Sequence, residues 1–97
     1  MKQSAVIIGG GIAGLTAAFK LKQAGIRVTV LETRSHPGGA IDTVEDGGYL
    51  VEKGPNTILE TSPRVAELVN DIGLESEKVY ASEASNVRYV VRGGTPI

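Results

Sequence analysis

Residues 6–15 read Val-Ile-Ile-Gly-Gly-Gly-Ile-Ala-Gly-Leu, and this stretch decides the fold of the first part of the chain. A short apolar run leads into the spacing Gly-x-Gly-x-x-Gly, and a helical pattern follows at once. Gly9 allows a tight turn, Gly11 lets a pyrophosphate approach the backbone, and Gly14 allows close packing of helix on strand. The N–H groups and the positive dipole end of the helix would hold the diphosphate. The pattern predicts a dinucleotide-binding turn, and an unrelated glycine-rich turn is the alternative.

An acidic residue follows the glycine motif at a spacing that is typical of dinucleotide-binding sites. Residues 27–31 form a second apolar run, which ends in Glu32, 18 residues after Gly14. An acid at this spacing accepts hydrogen bonds from an adenosine ribose, and a solvated charge at a strand end is the alternative. A carboxylate also repels a 2′-phosphate, which argues against NADP and leaves FAD or NAD.

The remaining patterns indicate an α/β chain. A partial Rossmann-like βαβ unit is followed by a β-hairpin, a helix and further strands, and no third parallel strand is evident. Ser62 and Pro63 are typical N-cap and N1 residues of a helix, and Gly73 ends it. Diglycines at 47–48 and 93–94 indicate hairpin turns. The predicted elements are strands 4–8, 27–31 and 87–92, helices 12–24 and 63–72, a hairpin over 41–52, and a return strand from residue 95.

Composition excludes several classes of function. The chain has 97 residues, a net charge of −1 and no cysteine, which leaves no electrostatic argument for nucleic acid and no thiolate or disulfide chemistry. No run is apolar for long enough to span a membrane, and the predicted location is cytoplasmic, with peripheral membrane association as the alternative. His36, the only histidine, lacks partners for a metal site or a triad, so we expect a surface residue.

Two loops add candidate residues. Gly38-Gly39 follows the ribose acid closely, where a cofactor longer than NAD would approach the backbone a second time; an ordinary loop is the alternative. Arg34 would bind phosphate or cap the adenine end, or be a surface charge. The stiff turn at residues 54–57, Gly-Pro-Asn-Thr, would border a flavin ring or a substrate, or serve only as a turn.

The order of these motifs resembles the FAD-dependent amine oxidase superfamily. The resemblance is carried by residues 6–18, by Val-Thr-Val-Leu-Glu at 28–32, by Pro-Gly-Gly-Ala-Ile-Asp-Thr at 37–43 and by Val-Glu-Lys-Gly-Pro-Asn-Thr at 51–57. Within the superfamily, residues 51–59, 68–74 and 88–94 are most similar to the protoporphyrinogen oxidase group. The resemblance covers nearly all of the chain but only the opening portion of those enzymes.

The resemblance implies FAD as the cofactor and assigns residues to it. Gly9, Gly11 and Gly14 would hold the pyrophosphate, and Glu32 the ribose. Many members of the superfamily carry Arg or Lys where this chain has Ala40, which removes a possible cation beside the cofactor. The further residues implied to line the cofactor are Ile12, Ala13, Thr33, Arg34, Gly38, Gly39, Gly54, Pro55, Asn56 and Thr57.

The resemblance also implies an activity. Residues 1–97 would be the N-terminal portion of an FAD-binding domain, with the remainder of that domain and a substrate domain absent from this chain. The parent enzyme would oxidise protoporphyrinogen to protoporphyrin in heme biosynthesis, with oxygen as acceptor, and no residue here is predicted to be catalytic. Another flavin amine oxidase or a phytoene-type desaturase is the alternative, and a nucleotide-binding module or an inactive fragment is an alternative of another class. We expect the 97 residues alone to be inactive and to self-associate.

Overall fold

A computed structural model describes residues 3–87 and 89–96, which form two compact units, one through Ile58 and one from Leu59. Among these residues, no helix is both long enough and apolar enough to cross a membrane. Two short 3₁₀ helices lie at Glu75–Glu77 and Glu83–Asn86. The main elements are β1 (Ser4–Ile8), α1 (Ile12–Gln23), β2 (Arg27–Leu31), β3 (Thr43–Asp46), β4 (Tyr49–Glu52), α2 (Pro63–Asp71), β5 (Val91–Arg92) and β6 (Thr95–Pro96).

The first unit opens with two parallel strands joined by a helix. β1 pairs with β2 in a register that runs from Ser4 opposite Arg27 to Ile8 opposite Leu31, and α1 is the crossover between them. Gly25 has a φ of +83° just past the end of α1, as expected of a glycine that stops a helix. The α/β content and these three elements agree with the sequence patterns, whereas a wider Rossmann-like sheet stays a prediction, because this sheet has two strands.

One face of this sheet is covered and the other is open. The side chains that alternate onto the α1 side, such as Ile7 and Val30, are half-buried. On the opposite face Val6 is 62% exposed, Ile8 79% and Leu31 50%. Continuous apolar runs such as those of β1 and β2 are typical of parallel strands covered on both faces, but the described residues contain no element that covers the second face. No described apolar side chain is fully buried.

A hairpin completes the first unit. β3 and β4 are antiparallel, and the two glycines between them have φ values of +56° and +84°. Thr43 lies opposite Glu52 and donates its hydroxyl to both carboxylate oxygens, at 2.9 and 2.7 Å. The N–H of Lys53 donates to the carbonyl of Asp42 at 2.8 Å, so pairing continues past the strand ends. The predicted hairpin is therefore confirmed.

Side chains connect the segments of the second unit. Ser62 Oγ accepts the N–H of Arg64 at 3.2 Å and caps α2 as predicted. The ammonium of Lys78 lies 2.7 Å from Glu60 Oε1 and 3.3 Å from Glu75 Oε2. Tyr80 donates its hydroxyl to Glu60 at 3.1–3.2 Å. A short hairpin, β5–β6, follows.

The predicted strand over 87–92 is wrong for most of its length. Only Val91–Arg92 is a strand, paired with Thr95–Pro96, while Val87, Tyr89 and Val90 are irregular. A strand needs a partner for its backbone groups, and β6 provides two paired positions. Alternating apolar residues alone do not supply that partner. The parts of the prediction that concern Arg88 and Ile97 lie outside the described residues.

Candidate dinucleotide site

The turn after β1 is built as its glycines predict. Gly9 has a φ of +101°, and its N–H donates to the carbonyl of Leu31 at 2.7 Å, which ties the ends of β1 and β2 together. A Cβ on Gly14 would overlap the carbonyl oxygen of Gly9 and lie 3.3 Å from Ile7 Cγ2. Helix α1 can therefore cross β1 at this distance only because residue 14 has no side chain.

Gly11 differs from these two glycines. Its φ of −79° and ψ of −174° suit any residue, and a Cβ there would meet only the Cα of Gly39, at 3.9 Å. Neither the backbone conformation nor the packing of this chain requires glycine at position 11. The absence of a side chain therefore leaves open space beside the start of α1, where a ligand can approach the backbone.

The N-terminus of α1 is suited to an anion. Gly11 is its N-cap and provides no side-chain hydrogen bond, and the first turn contains no acidic residue. The first N–H groups of a helix lack partners within the helix, and the helix dipole places partial positive charge there. Ile12 and Ala13 carry two of these N–H groups, and both residues are exposed. A diphosphate would find donors and favourable charge at this end.

Glu32 holds the glycine loop rather than standing free at a strand end. Its Oε1 accepts the N–H of Gly10 at 2.9 Å, and its Oε2 accepts the N–H of Arg34 at 2.9 Å. The Arg34 N–H, and then the Gly10 N–H, lower the pKa of Glu32 below its ordinary value, so the carboxylate is charged at neutral pH. Each carboxylate oxygen has about two acceptor sites. The Thr33 N–H also lowers this pKa, so at least one of the roughly four acceptor sites of the carboxylate remains for a ribose hydroxyl.

The second diglycine packs against the glycine loop itself. The N–H of Gly38 donates to the carbonyl of Gly10 at 2.8 Å, and Arg34 Nη1 donates to the carbonyl of Gly39 at 3.1 Å. Gly39 has a φ of +61°, and a Cβ there would lie 3.1 Å from the Cα of Gly11. Close approach between two loops of this chain therefore explains Gly39 without reference to a cofactor. Thr33, in the same loop, is exposed.

The turn at residues 54–57 is joined to this region by one contact. A Cβ on Gly54 would overlap the carbonyl oxygen of Ala40 and lie 2.8 Å from its carbon. The contact between Gly54 and Ala40 places the turn next to the second diglycine. Pro55, Asn56 and Thr57 are exposed. His36 is also exposed, and the described residues contain no group of side chains able to hold a metal ion.

A family model for flavin containing amine oxidoreductases matches residues 12–96. The chain belongs to this family. Its sequence is 40% identical over 91 residues to protoporphyrinogen oxidase 2 of Arabidopsis thaliana, covering 94% of the chain and 18% of that enzyme. It is also 40% identical over 96 residues to a coproporphyrinogen III oxidase of Bacillus subtilis, covering 93% of the chain and 20% of that enzyme. The chain thus spans about a fifth of the length of these relatives.

A solved structure of a putrescine oxidase is also similar to this flavin amine oxidoreductase segment. The TM-score is 0.66 at 30% sequence identity, over 75% of this chain and 16% of the oxidase. Membership of the family confirms the resemblance seen in the sequence and confirms FAD as the cofactor. The individual contacts of each candidate residue with FAD stay predictions.

The residues present fit the diphosphate and ribose of FAD. The open space beside Gly11, the uncapped start of α1 and the spare acceptor sites of Glu32 lie on one loop system. Sequence patterns missed one residue of that system. Gly10 is buried, and its N–H and carbonyl bind Glu32 and Gly38. The residue acts through its backbone alone, so only the need of Glu32 for a donor could have pointed to it.

Proposed function

We propose that this chain is the N-terminal FAD-binding segment of a flavin oxidoreductase. The observation that supports this most strongly is Gly11, because the chain itself gives no reason for a glycine there while a pyrophosphate does. In this proposal Gly9 and Gly14 shape the loop, and the N–H groups of Ile12 and Ala13 bind the diphosphate. Bound FAD would supply the redox chemistry that no side chain of this segment offers.

The ribose and adenine side of the proposal depends on the loop after β2. Glu32 would accept hydrogen bonds from the ribose with the acceptor sites that Gly10 and Arg34 leave free. Thr33, Arg34, Gly38 and Gly39 would line the adenosine half. The turn from Gly54 to Thr57 would approach the flavin half of the cofactor.

A porphyrinogen is the substrate class that we propose for the parent enzyme. Two relatives at 40% identity are porphyrinogen oxidases by name, one for protoporphyrinogen and one for coproporphyrinogen. Oxygen is the proposed acceptor, and a cytoplasmic enzyme is the proposed setting. An amine is the second candidate substrate, because the solved putrescine oxidase has a similar fold over three quarters of this chain. The substrate-binding residues would lie in later segments.

The test uses the full-length protein that carries this segment. Purified protein should show the visible absorbance of a flavin, and anaerobic mixing with a porphyrinogen should bleach that absorbance. Putrescine serves as the matched comparison and should leave it unchanged. Bleaching by putrescine alone would make the enzyme an amine oxidase. A purified protein without visible absorbance would favour a nucleotide-binding module without redox chemistry.

A further inference from the structure

A closed ring of hydrogen bonds joins the glycine loop to the loop after β2. The ring runs from Gly10 through the carboxylate of Glu32 to the N–H of Arg34, and returns through the Arg34 guanidinium to Gly39 and from Gly38 to Gly10. All four donor–acceptor distances lie between 2.8 and 3.1 Å. The ring joins the loop that contains Gly39 to the loop that contains Gly11, and a Cβ on Gly39 would lie only 3.1 Å from the Cα of Gly11, so the two loops approach closely there.

Two side chains contribute to the ring, and their parts can be separated. Glu32 is also a proposed ligand of the ribose, so its replacement would remove a ribose contact and the hydrogen bonds of the ring at once. Arg34 contributes its backbone N–H to Glu32 and its guanidinium to the carbonyl of Gly39. A substitution at position 34 removes only the second of these bonds, because the backbone N–H remains.

We propose that Arg34 is a positioning residue: its guanidinium holds the carbonyl of Gly39 and thereby fixes the second diglycine against Gly11 before FAD arrives. The proposal rests on the proposed function, since it takes FAD as the ligand of the glycine loop. It differs from a role as a phosphate ligand, in which the charge of Arg34 would act on the cofactor directly.

The two roles predict different kinetics. Positioning raises the fraction of cofactor-free protein whose loops are ready to bind, and the apparent affinity scales with that fraction. Losing the guanidinium should therefore slow FAD association, while bound FAD holds the loops together and keeps dissociation nearly unchanged. A phosphate contact would instead speed dissociation, and its effect would shrink at high salt.

The experiment compares Arg34→Met with Arg27→Met in the full-length protein after removal of FAD. Arg27 opens β2 at the end of the strand opposite Glu32 and is exposed, so its replacement controls for the loss of one charge. For Arg34→Met we expect association to slow about fivefold, the factor that one hydrogen bond of ordinary net strength carries. Dissociation should stay within about twofold at low and high salt, since no phosphate contact is lost. The Arg27→Met control should match the wild type.

Amide hydrogen exchange of the cofactor-free protein provides a second measurement. Arg34→Met should speed exchange in peptides that contain Gly10, a residue that Arg34 does not touch directly. Unchanged exchange at Gly10 together with faster FAD dissociation would overturn the proposal in favour of a direct phosphate contact. Faster exchange with unchanged association would overturn it in favour of a purely structural role. A wild type that binds no FAD would contradict the proposed function, and the exchange at Gly10 would still test the ring.

Discussion

The unit through Ile58 and the unit from Leu59 are held together by different groups. In the first, backbone N–H and carbonyl groups at glycines make most of the contacts between loops, and Gly14 and Gly54 have no room for a Cβ. In the second, side chains such as the exposed Glu60 and the half-buried Lys78 connect the segments. Backbone contacts restrict the residue type strictly, whereas side-chain contacts on a surface tolerate replacement. Substitutions should therefore have large effects in the first unit and small effects in the second.

The largest effect is expected for Gly14→Val. A side chain there overlaps the carbonyl of Gly9, so either α1 or β1 must move. We expect a loss of about 3 kcal/mol or more in the free energy of unfolding, at the upper end of overpacking effects. Thermal unfolding of the full-length apoprotein measures this. Ala17→Val, at an exposed position of the same helix, is the control, and equal melting temperatures for the two variants would contradict the packing account.

The next effect is expected for Glu32→Gln. An amide offers one oxygen, so either Gly10 or Arg34 would face an NH₂ group instead of an acceptor. FAD affinity at neutral pH should fall roughly ten- to a hundredfold, the range for charge-assisted hydrogen bonds. Glu45→Gln in the exposed hairpin is the control. FAD fluorescence during titration measures the affinity, and equal values for both variants would exclude Glu32 from the site.

The pH dependence of FAD binding follows from the same carboxylate. Its N–H partners lower the pKa of Glu32, so the contacts are present at neutral pH and are lost as the pH falls below the ordinary value of 4.5. The FAD affinity of the wild type should decline as the pH falls through this acid range. The FAD affinity of Glu32→Gln should lack this decline, because residue 32 then has no carboxylate to protonate. Parallel acid profiles for the two proteins would contradict this cause.

An intermediate effect concerns the open face of the first sheet. We expect the isolated 97-residue chain to self-associate through Val6, Ile8 and Leu31, because apolar patches exposed in a sheet favour contact with further copies. Sedimentation velocity should show reduced association for the double variant Val6→Thr, Ile8→Thr. Val79→Thr in the second unit, at a side chain that is 93% exposed, should leave association unchanged. Reduced association of Val79→Thr, together with unchanged association of the double variant, would place the self-association contact in the second unit.

The smallest effect is expected for Lys78→Met in the second unit. Glu60 and Glu75 raise the pKa of Lys78, and Lys78 and Tyr80 lower the pKa of Glu60. The ion pairs of Lys78 therefore add to stability between pH 4.5 and pH 10.5, the ordinary pKa values of the two groups. Their contribution is lost as the pH falls below 4.5 or rises above 10.5. At neutral pH the melting temperature should change by about 2 °C or less, because ion pairs at a protein surface contribute little. A change as large as that of Gly14→Val would remove the contrast between the units.

The sequence predicted the elements whose causes are local. β1, α1 and β2 follow from apolar runs and helix-stopping glycines, and the cap of α2 follows from Ser62 and Pro63. The strand at 87–92 failed because strand pairing depends on a partner elsewhere in the chain. The tie between Gly10 and Glu32 could not be read from residue types, because one partner acts through its backbone.

The roles of individual glycines could be distinguished only in the structure. Gly9, Gly11 and Gly14 form one motif in the sequence, yet two of them are required by the chain itself, and Gly11 is not. Gly39 packs close to Gly11 and Gly54 close to Ala40, which residue types alone do not reveal, and the approach of both glycines to a cofactor stays a prediction. Gly11 is therefore the residue that supports the proposed cofactor site most strongly.

The most direct test of the account is the flavin content of full-length Gly11→Val beside that of Ala17→Val. The first variant should purify without flavin while its far-ultraviolet circular dichroism matches the wild type, because the new side chain enters open space that FAD needs. The control should purify with its flavin, since Ala17 is on an exposed part of α1. A Gly11→Val protein that retains a full complement of FAD would contradict the claim that this loop holds the pyrophosphate.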